Sequence, residues 1–162
     1  TKLFLDSREI KSQNFTKQIA FNAIPQIDDF ADDGYTKEEL KMTNETKKIL
    51  DEKIELTATC VRIPVLVSHS EAVNIEFEKP YTLEMIRDAL NNAEGCEVLD
   101  KTEDGGYSTP LEATGKDETY ISRIRIDKTK ENALNIWIVS DNLLRGAALN
   151  SVEIAETIIN SN

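Results

Sequence analysis

The sequence predicts an α+β domain on a largely antiparallel sheet with helices packed on one face. Three observations predict it. Alternating and β-branched runs recur along the chain, amphipathic helical runs fall between them, and consecutive strands are placed to pair as hairpins. The 162 residues are enough for one domain with a real core and too few for two comfortable ones.

Residues 1–17 are polar, weakly patterned, and read as a lead-in arm. Residues 18–24 form a short apolar run closed by Pro25, which predicts a strand. An acidic turn follows at 28–33. Thr36 with Glu39 three residues on is a capping-box signature. A helix is expected from there to about Leu50, with Leu40, Ile49 and Leu50 turned inward. Residues 54–68 carry Ile54, Thr57, Thr59, Val61, Ile63, Val65 and Val67, the pattern of a long strand. Pro64 interrupts it, so a bulge, bend or edge position is expected there. Residues 72–77 alternate and predict a second strand.

After the Pro80 turn, a helix over about 82–92 places Leu83, Ile86, Ala89 and Leu90 on one face. Residues 94–115 are loop-rich, with a short edge strand at 96–99. Residues 120–126 alternate Tyr120, Ser122, Ile124 and Ile126 against Ile121, Arg123 and Arg125. Residues 134–139 predict a further strand. Residues 141–146 mark a strand-to-helix transition, and the last helix runs to about Ile159 with Leu149, Val152, Ile154, Ala155 and Ile158 apolar.

Composition narrows the function classes. A net charge of −11 repels phosphate backbones, which argues against a nucleic-acid partner. No apolar run approaches the ~20 residues of a membrane helix, and residues 1–10 lack the pattern of a signal peptide. Two cysteines, Cys60 and Cys96, make no disulfide framework and have no metal-site spacing, which suits a reducing, cytoplasmic setting. None of the six glycines lies in a strand–glycine-rich turn–helix pattern that cradles a pyrophosphate. A nucleotide, if used, is expected to be held mostly by other chain.

Four groups of residues could carry chemistry. His69, the only histidine, is expected at the end of a hydrophobic strand, where a proton donor or acceptor facing a cleft belongs. The alternative is a surface histidine at a tight turn. Arg62 interrupts an apolar run and must face water, a carboxylate or a ligand. Seven residues separate it from His69. In a regular strand that spacing puts them on opposite faces, so they converge only if the strand bends. Glu38 and Lys41 share a helix face at i, i+3, either as a surface ion pair or as a receiver for an ammonium and a phosphate. Asp141 or Asn142 reads as a helix N-cap whose free amide could grip a carboxamide or anion. Cys60 and Cys96 show no activating base nearby in sequence and read as incidental thiols.

Taken together, four blocks resemble one family. They are Phe21-Asn22-Ala23-Ile24-Pro25-Gln26-Ile27-Asp28; Glu38-Glu39-Leu40-Lys41-Met42-Thr43-Asn44-Glu45-Thr46-Lys47-Lys48-Ile49; Thr59-Cys60-Val61-Arg62-Ile63-Pro64-Val65-Leu66-Val67-Ser68-His69-Ser70; and Ser140-Asp141-Asn142-Leu143-Leu144-Arg145-Gly146-Ala147-Ala148-Leu149-Asn150-Ser151. In this order and spacing they resemble the aspartate-semialdehyde dehydrogenase family from about Lys17 onward. The third block is the most specific.

The resemblance implies a C-terminal domain of the glyceraldehyde-3-phosphate-dehydrogenase-like kind. It implies an oxidoreductase that converts L-aspartyl 4-phosphate to L-aspartate 4-semialdehyde with NADPH and releases phosphate, a step toward lysine, threonine, methionine and diaminopimelate. It implies His69 as the acid/base residue, Arg62 as the clamp on the substrate α-carboxylate, Glu38 as a substrate contact, Lys41 as a phosphate ligand, and Asn142 as a contact near the nicotinamide. A homodimer is implied, with no nucleic-acid or membrane partner.

The family's glycine-rich dinucleotide-binding domain and nucleophilic cysteine are not in this sequence. The resemblance therefore divides the chain into a poorly matched lead-in at 1–16, a catalytic and dimerisation domain at 17–141, and a C-terminal helix at 142–162 that returns to the nucleotide-binding domain. The helix should carry an apolar face that is open here or covered by another copy. The chain by itself is expected to be inactive. Two other readings stay open: a non-catalytic dimerisation module, and a domain of another acyl-phosphate reductase, such as an N-acetylglutamyl-phosphate reductase.

Overall fold

The computed structural model of the chain describes residue 6, residue 12 and residues 14–161. Most of the predicted lead-in arm lies outside the described residues. The chain divides into two compact units, Thr1–Pro64 and Val65–Asn162.

The first unit is organised around one helix, α1 (Lys37–Ile49). Its start follows from the sequence. Thr36 is the N-cap: its side chain accepts from the Glu39 N–H at 3.4 Å, and the Glu39 Oε2 accepts from the Thr36 N–H at 2.8 Å. This reciprocal pair satisfies two donors that a helix start leaves open. Acidic Glu38 and Glu39 sit in the first turn and basic Lys47 and Lys48 in the last, each complementing the helix dipole.

Three expectations fail in this unit. Ile49 and Leu50 are 72% and 73% exposed, while the buried residue on α1 is Glu39. Residues 18–24 form no strand; only Ile24 is bridged, to Arg62. Residues 54–68 are not a long strand either. Besides the Arg62 bridge and a turn bond from the Ile54 N–H to the Asp51 carbonyl, side chains engage this backbone: Glu39 takes the Cys60 N–H and Thr43 donates to the Leu56 carbonyl. β-branched residues favour an extended backbone, but they do not supply a partner strand. Pro64 removes a ladder donor, and the chain bends there, as its position in the run predicts.

The second unit is an α+β arrangement on a four-stranded sheet. The strands are β1 (His69–Glu76), β2 (Cys96–Val98), β3 (Thr119–Ile126) and β4 (Ala133–Ser140), in the order β1-β4-β3-β2. β1 and β3 both run antiparallel to β4, and the short edge strand β2 runs parallel to β3. Helix α2 (Leu83–Asn91), capped by Thr82, puts Leu83, Ile86 and Leu90 against a core of Ile121, Ile124, Leu134 and Ile136. The opposite face carries Trp137 and Ser122. There the Trp137 indole donates to the Ser108 carbonyl, and the Ser108 N–H donates to the Ser122 hydroxyl.

The β3–β4 register slips by one residue between Ser122 and Arg125, where Arg123 adopts φ 57°. This is a bulge, with two residues opposite one. Its cost is partly met by Asp100, which accepts the freed Ile124 N–H and pairs with Arg87 of α2 at 2.5 Å. The bulge therefore brings Ile124 into the core and ties α2 to β3.

A short helix, α3 (Pro110–Ala113), lies in the stretch expected to be loop. Its signal was present: Thr109 with Glu112 is a capping box, and Pro110 occupies the first helical position. After β4 come a π-helical turn (Leu144–Ala148) and α4 (Leu149–Asn160). Val152, Ile154, Ile158 and Ile159 of α4 are exposed. Among the described residues no helix is long and apolar enough to cross a membrane.

Leu134 is 1% exposed at the centre of the core. Leu134→Ala is expected to lower the unfolding free energy by roughly 2–5 kcal/mol. Ile49→Ala should cost less than about 0.5 kcal/mol, because its side chain leaves water little on folding. Urea denaturation of the two variants checks this, and equal losses contradict the burial pattern.

Candidate active site

Each unit holds part of the predicted set. In the first, Glu38 and Lys41 meet on α1, with Lys41 Nζ 3.3 Å from Glu38 Oε1. Both side chains are partly exposed, so the pair is weak and easily exchanged for other partners. Arg62 lies on the extended segment beside α1. Its backbone exchanges two hydrogen bonds with Ile24, both at 2.9 Å. Its guanidinium stacks over the Phe15 ring at 5.5 Å, and among the described residues no carboxylate pairs with it.

The residue that organises this region was missed as such. Glu39 holds α1 to the Arg62 segment, because its second oxygen accepts the Cys60 N–H at 2.8 Å. Backbone donors from Thr36 and Cys60 hold its carboxyl below the usual glutamate range, against the opposing effect of burial. The available signal was the capping box, which accounts for only one of its two oxygens. A cleft of about 340 Å³ opens beside the helix start, lined by Phe30, Tyr35, Thr36, Glu39 and Thr57 among others. Glu38, Lys41 and Arg62 do not line it.

In the second unit His69 opens β1 rather than closing a preceding strand. It faces Ser140, the last residue of β4, and is exposed. The structure brings the other candidates of this unit to the same end of the sheet. Asp141, 3% exposed, is the main anchor. Its Oδ1 accepts from the Leu143 and Leu144 N–H groups at 2.7 and 3.1 Å, capping the turn that leads into α4. Its Oδ2 accepts the Gly115 N–H at 2.7 Å. The Gly115 contact, with help from Leu143 and Leu144, holds the carboxyl below the usual aspartate range although burial pushes the other way. Of the two cap candidates, then, Asp141 caps and Asn142 does something else. The Asn142 Oδ1 accepts the Ser68 N–H at 2.7 Å.

Ser68 and Thr114 were not singled out from sequence. Ser68 adopts φ 81°, a left-handed conformation unusual for a residue with a side chain. Its hydroxyl lies 3.3 Å from that of Thr114, which itself donates to the Pro110 carbonyl. Nothing in the sequence marks Ser68, because the pattern that betrays such backbone is normally a glycine. Neighbouring Ser70 has a buried hydroxyl with no hydrogen-bond partner among the described residues.

Arg145 locks the turn before α4. It donates to the Asp117 carbonyl and pairs with Glu153. It packs so closely over Gly95 that a Cβ there would lie 2.6 Å from its Nη2. Cys60 and Cys96 are half-buried and not joined to each other. No cluster of histidine, cysteine and carboxylates fit to hold a metal occurs among the described residues.

A sheet whose edge strand begins on a histidine, beside an asparagine set by a buried aspartate, defines an α+β domain that presents polar groups at one end of its strands. Comparison with known proteins makes the class specific. The family described as semialdehyde dehydrogenase, dimerisation domain, matches residues 1–145, and the chain belongs to it. It is similar to the aspartate-semialdehyde dehydrogenase of Aquifex aeolicus, with 48% identity over 98% of this chain and 47% of that protein. It is also similar to the crystal structure of aspartate semialdehyde dehydrogenase II from Vibrio cholerae, with 41% identity, a TM-score of 0.94, and coverage of 99% of this chain and 48% of that one. A structure of the same Vibrio cholerae enzyme complexed with ASA matches with the same TM-score and identity, over 99% of this chain and 47% of that one. The chain spans about half the length of the curated relatives it matches.

The depressed Asp141 carboxyl sets a direction for pH dependence. A carboxyl with a lowered folded pKa contributes stability that is complete above the unfolded value and lost as pH falls through the folded one. Asp141→Asn is therefore expected to lower stability at neutral pH, with the gap to wild type closing as acid protonates the native carboxyl. Chemical denaturation across acid and neutral pH measures it, and a gap that widens toward acid contradicts the assigned hydrogen bonds.

Proposed function

We propose that the chain is the substrate-handling and dimerisation part of an NADP-dependent aspartate-semialdehyde dehydrogenase. The reading rests on one observation above others: 48% identity to the Aquifex aeolicus enzyme over 98% of this chain, a span that includes the Arg62–His69 block. The reaction converts L-aspartyl 4-phosphate to L-aspartate 4-semialdehyde and phosphate, a step toward lysine, threonine and methionine. Its setting is the cytoplasm, in keeping with a sequence of only two cysteines.

Each residue has a task its chemistry suits. Arg62 grips the substrate α-carboxylate with two parallel N–H donors, and the lack of a carboxylate partner among the described residues leaves its fork available. Glu38 takes the substrate ammonium and Lys41 the phosphate. Their mutual ion pair is weak enough to open for both. His69 moves the proton at the reacting thiol and at the tetrahedral intermediate. The thiol comes from a cysteine outside this sequence, since neither Cys60 nor Cys96 occupies the family's nucleophile motif.

The Asn142 Oδ1 is occupied by Ser68, and its amide nitrogen makes no hydrogen bond among the described residues. That suits the carbonyl oxygen of a nicotinamide carboxamide. The sequence holds no glycine-rich cradle for the pyrophosphate, so the rest of the dinucleotide belongs to another domain. When bound, NADPH supplies the hydride.

In this reading residues 17–141 are the catalytic and dimerisation domain. Residues 142–162 return to the nucleotide-binding domain, with the exposed apolar residues of α4 as the returning face. The protein is a homodimer paired through its sheet.

The test is kinetic. In the intact protein that carries this chain, aspartyl-phosphate-dependent oxidation of NADPH is expected. Arg62→Lys should raise the substrate KM roughly 10–100-fold through loss of the bidentate clamp. The 162-residue chain alone should show no such activity and should run as a dimer in light scattering. Turnover by the chain alone, or an unchanged KM in Arg62→Lys, contradicts the reading.

A further inference from the structure

The β1–β4 ladder ends at the pair His69–Ser140. Continuing its register would set Ser68 opposite Asp141. That pair does not form, and the Asp141 carboxylate is engaged by Gly115, Leu143 and Leu144. The Ser68 N–H instead meets the Asn142 side chain at 2.7 Å, a hydrogen bond between residues 74 apart in sequence. Ser68 is held at φ 81°, and the residue it leads into is His69. A serine does not rest in this conformation without neighbours that impose it. Two are present: the Asn142 amide oxygen on its N–H and the Thr114 hydroxyl near its Oγ. Thr114 gives its own proton to the Pro110 carbonyl, so the Ser68 hydroxyl is the donor toward it.

We infer that Asn142 is a positioning residue for His69: its amide oxygen clamps the Ser68 N–H and holds the left-handed turn that aims the first residue of β1. The same bond fixes which way the amide points, so that only its nitrogen is left to meet a ligand. A single side chain thereby connects whatever engages that nitrogen to the orientation of the histidine. The inference rests on the acid/base role proposed for His69 and goes beyond it, because it gives Asn142 a task that exists before any cofactor binds.

The test is a double-mutant cycle in the intact enzyme that carries this chain. It is read by kcat at saturating substrate and cofactor, by the cofactor KM, and by the His69 imidazole NMR resonance without cofactor. Asn142→Ala should lower kcat roughly tenfold and shift the His69 resonance, since misplacing a reacting group is costly even when it remains present. Glycine takes a positive φ without steric cost. Adding Ser68→Gly should therefore bring kcat to within about threefold of Ser68→Gly alone, the coupling expected of two residues in one hydrogen bond.

Asn142→Ala that raises only the cofactor KM, with kcat and the resonance unmoved, overturns the inference. So does a double variant that falls as far below Ser68→Gly as Asn142→Ala falls below the wild type. In the wild type, the Ser68 amide should exchange slowly with solvent although it lies beyond the ladder. Fast exchange overturns the inference even if Asn142→Ala fails to fold. A His69→Gln variant with undiminished turnover removes the acid/base reading and the inference with it. A slow His69→Gln variant beside an unmoved cycle removes the inference alone.

Discussion

Three backbone N–H groups converge on the carboxylate of Asp141, and the end of the sheet that carries His69 and Asn142 depends on that convergence. One oxygen closes the turn into the C-terminal helix, and the other holds the Gly115 loop. Asp141 is 3% exposed, so an unsatisfied oxygen here would carry a heavy desolvation cost. With both oxygens engaged, the group is a fixed point from which Asn142 extends toward Ser68, and Ser68 leads into His69.

The first unit repeats the device independently. Glu39 places one oxygen on the Thr36 N–H and the other on the Cys60 N–H. The helix carrying Glu38 and Lys41 is thus held to the segment carrying Arg62 by a carboxylate that takes no part in the proposed chemistry. In both units an acidic side chain binds main chain to main chain, while the groups assigned to substrate stay at least partly exposed. That division suits a site whose structural bonds must survive while its substrate contacts form and break.

How much of this was legible in the sequence depended on whether a local pattern had one structural meaning. The helix beginning after Thr36 and the one beginning after Thr82 were legible because a cap, a first turn and an apolar periodicity agreed. Strands β3 and β4 were legible from alternation. The run at 54–68 misled because β-branched composition reports backbone preference, whereas a strand needs a partner. The Cys60 N–H went instead to Glu39 and the Leu56 carbonyl to Thr43. Ile49 and Leu50 mislead because an apolar residue at a helix end need not face a core. Of the site, residue types and the helix pair were readable. The register bulge at Arg123, the left-handed Ser68 and the amide orientation of Asn142 were not, since each is imposed by residues distant in sequence.

In the proposed function this chain contributes the proton-transfer group of a reductive dephosphorylation, at the edge strand of its sheet, while the nucleophile lies elsewhere in the protein. The most direct measurement is kcat of the intact protein with His69 replaced by glutamine, at saturating aspartyl phosphate and NADPH. A fall of roughly 10²–10⁴-fold is expected, the range for loss of a general acid–base group, with the substrate KM little changed. A variant that turns over at the wild-type rate would contradict it.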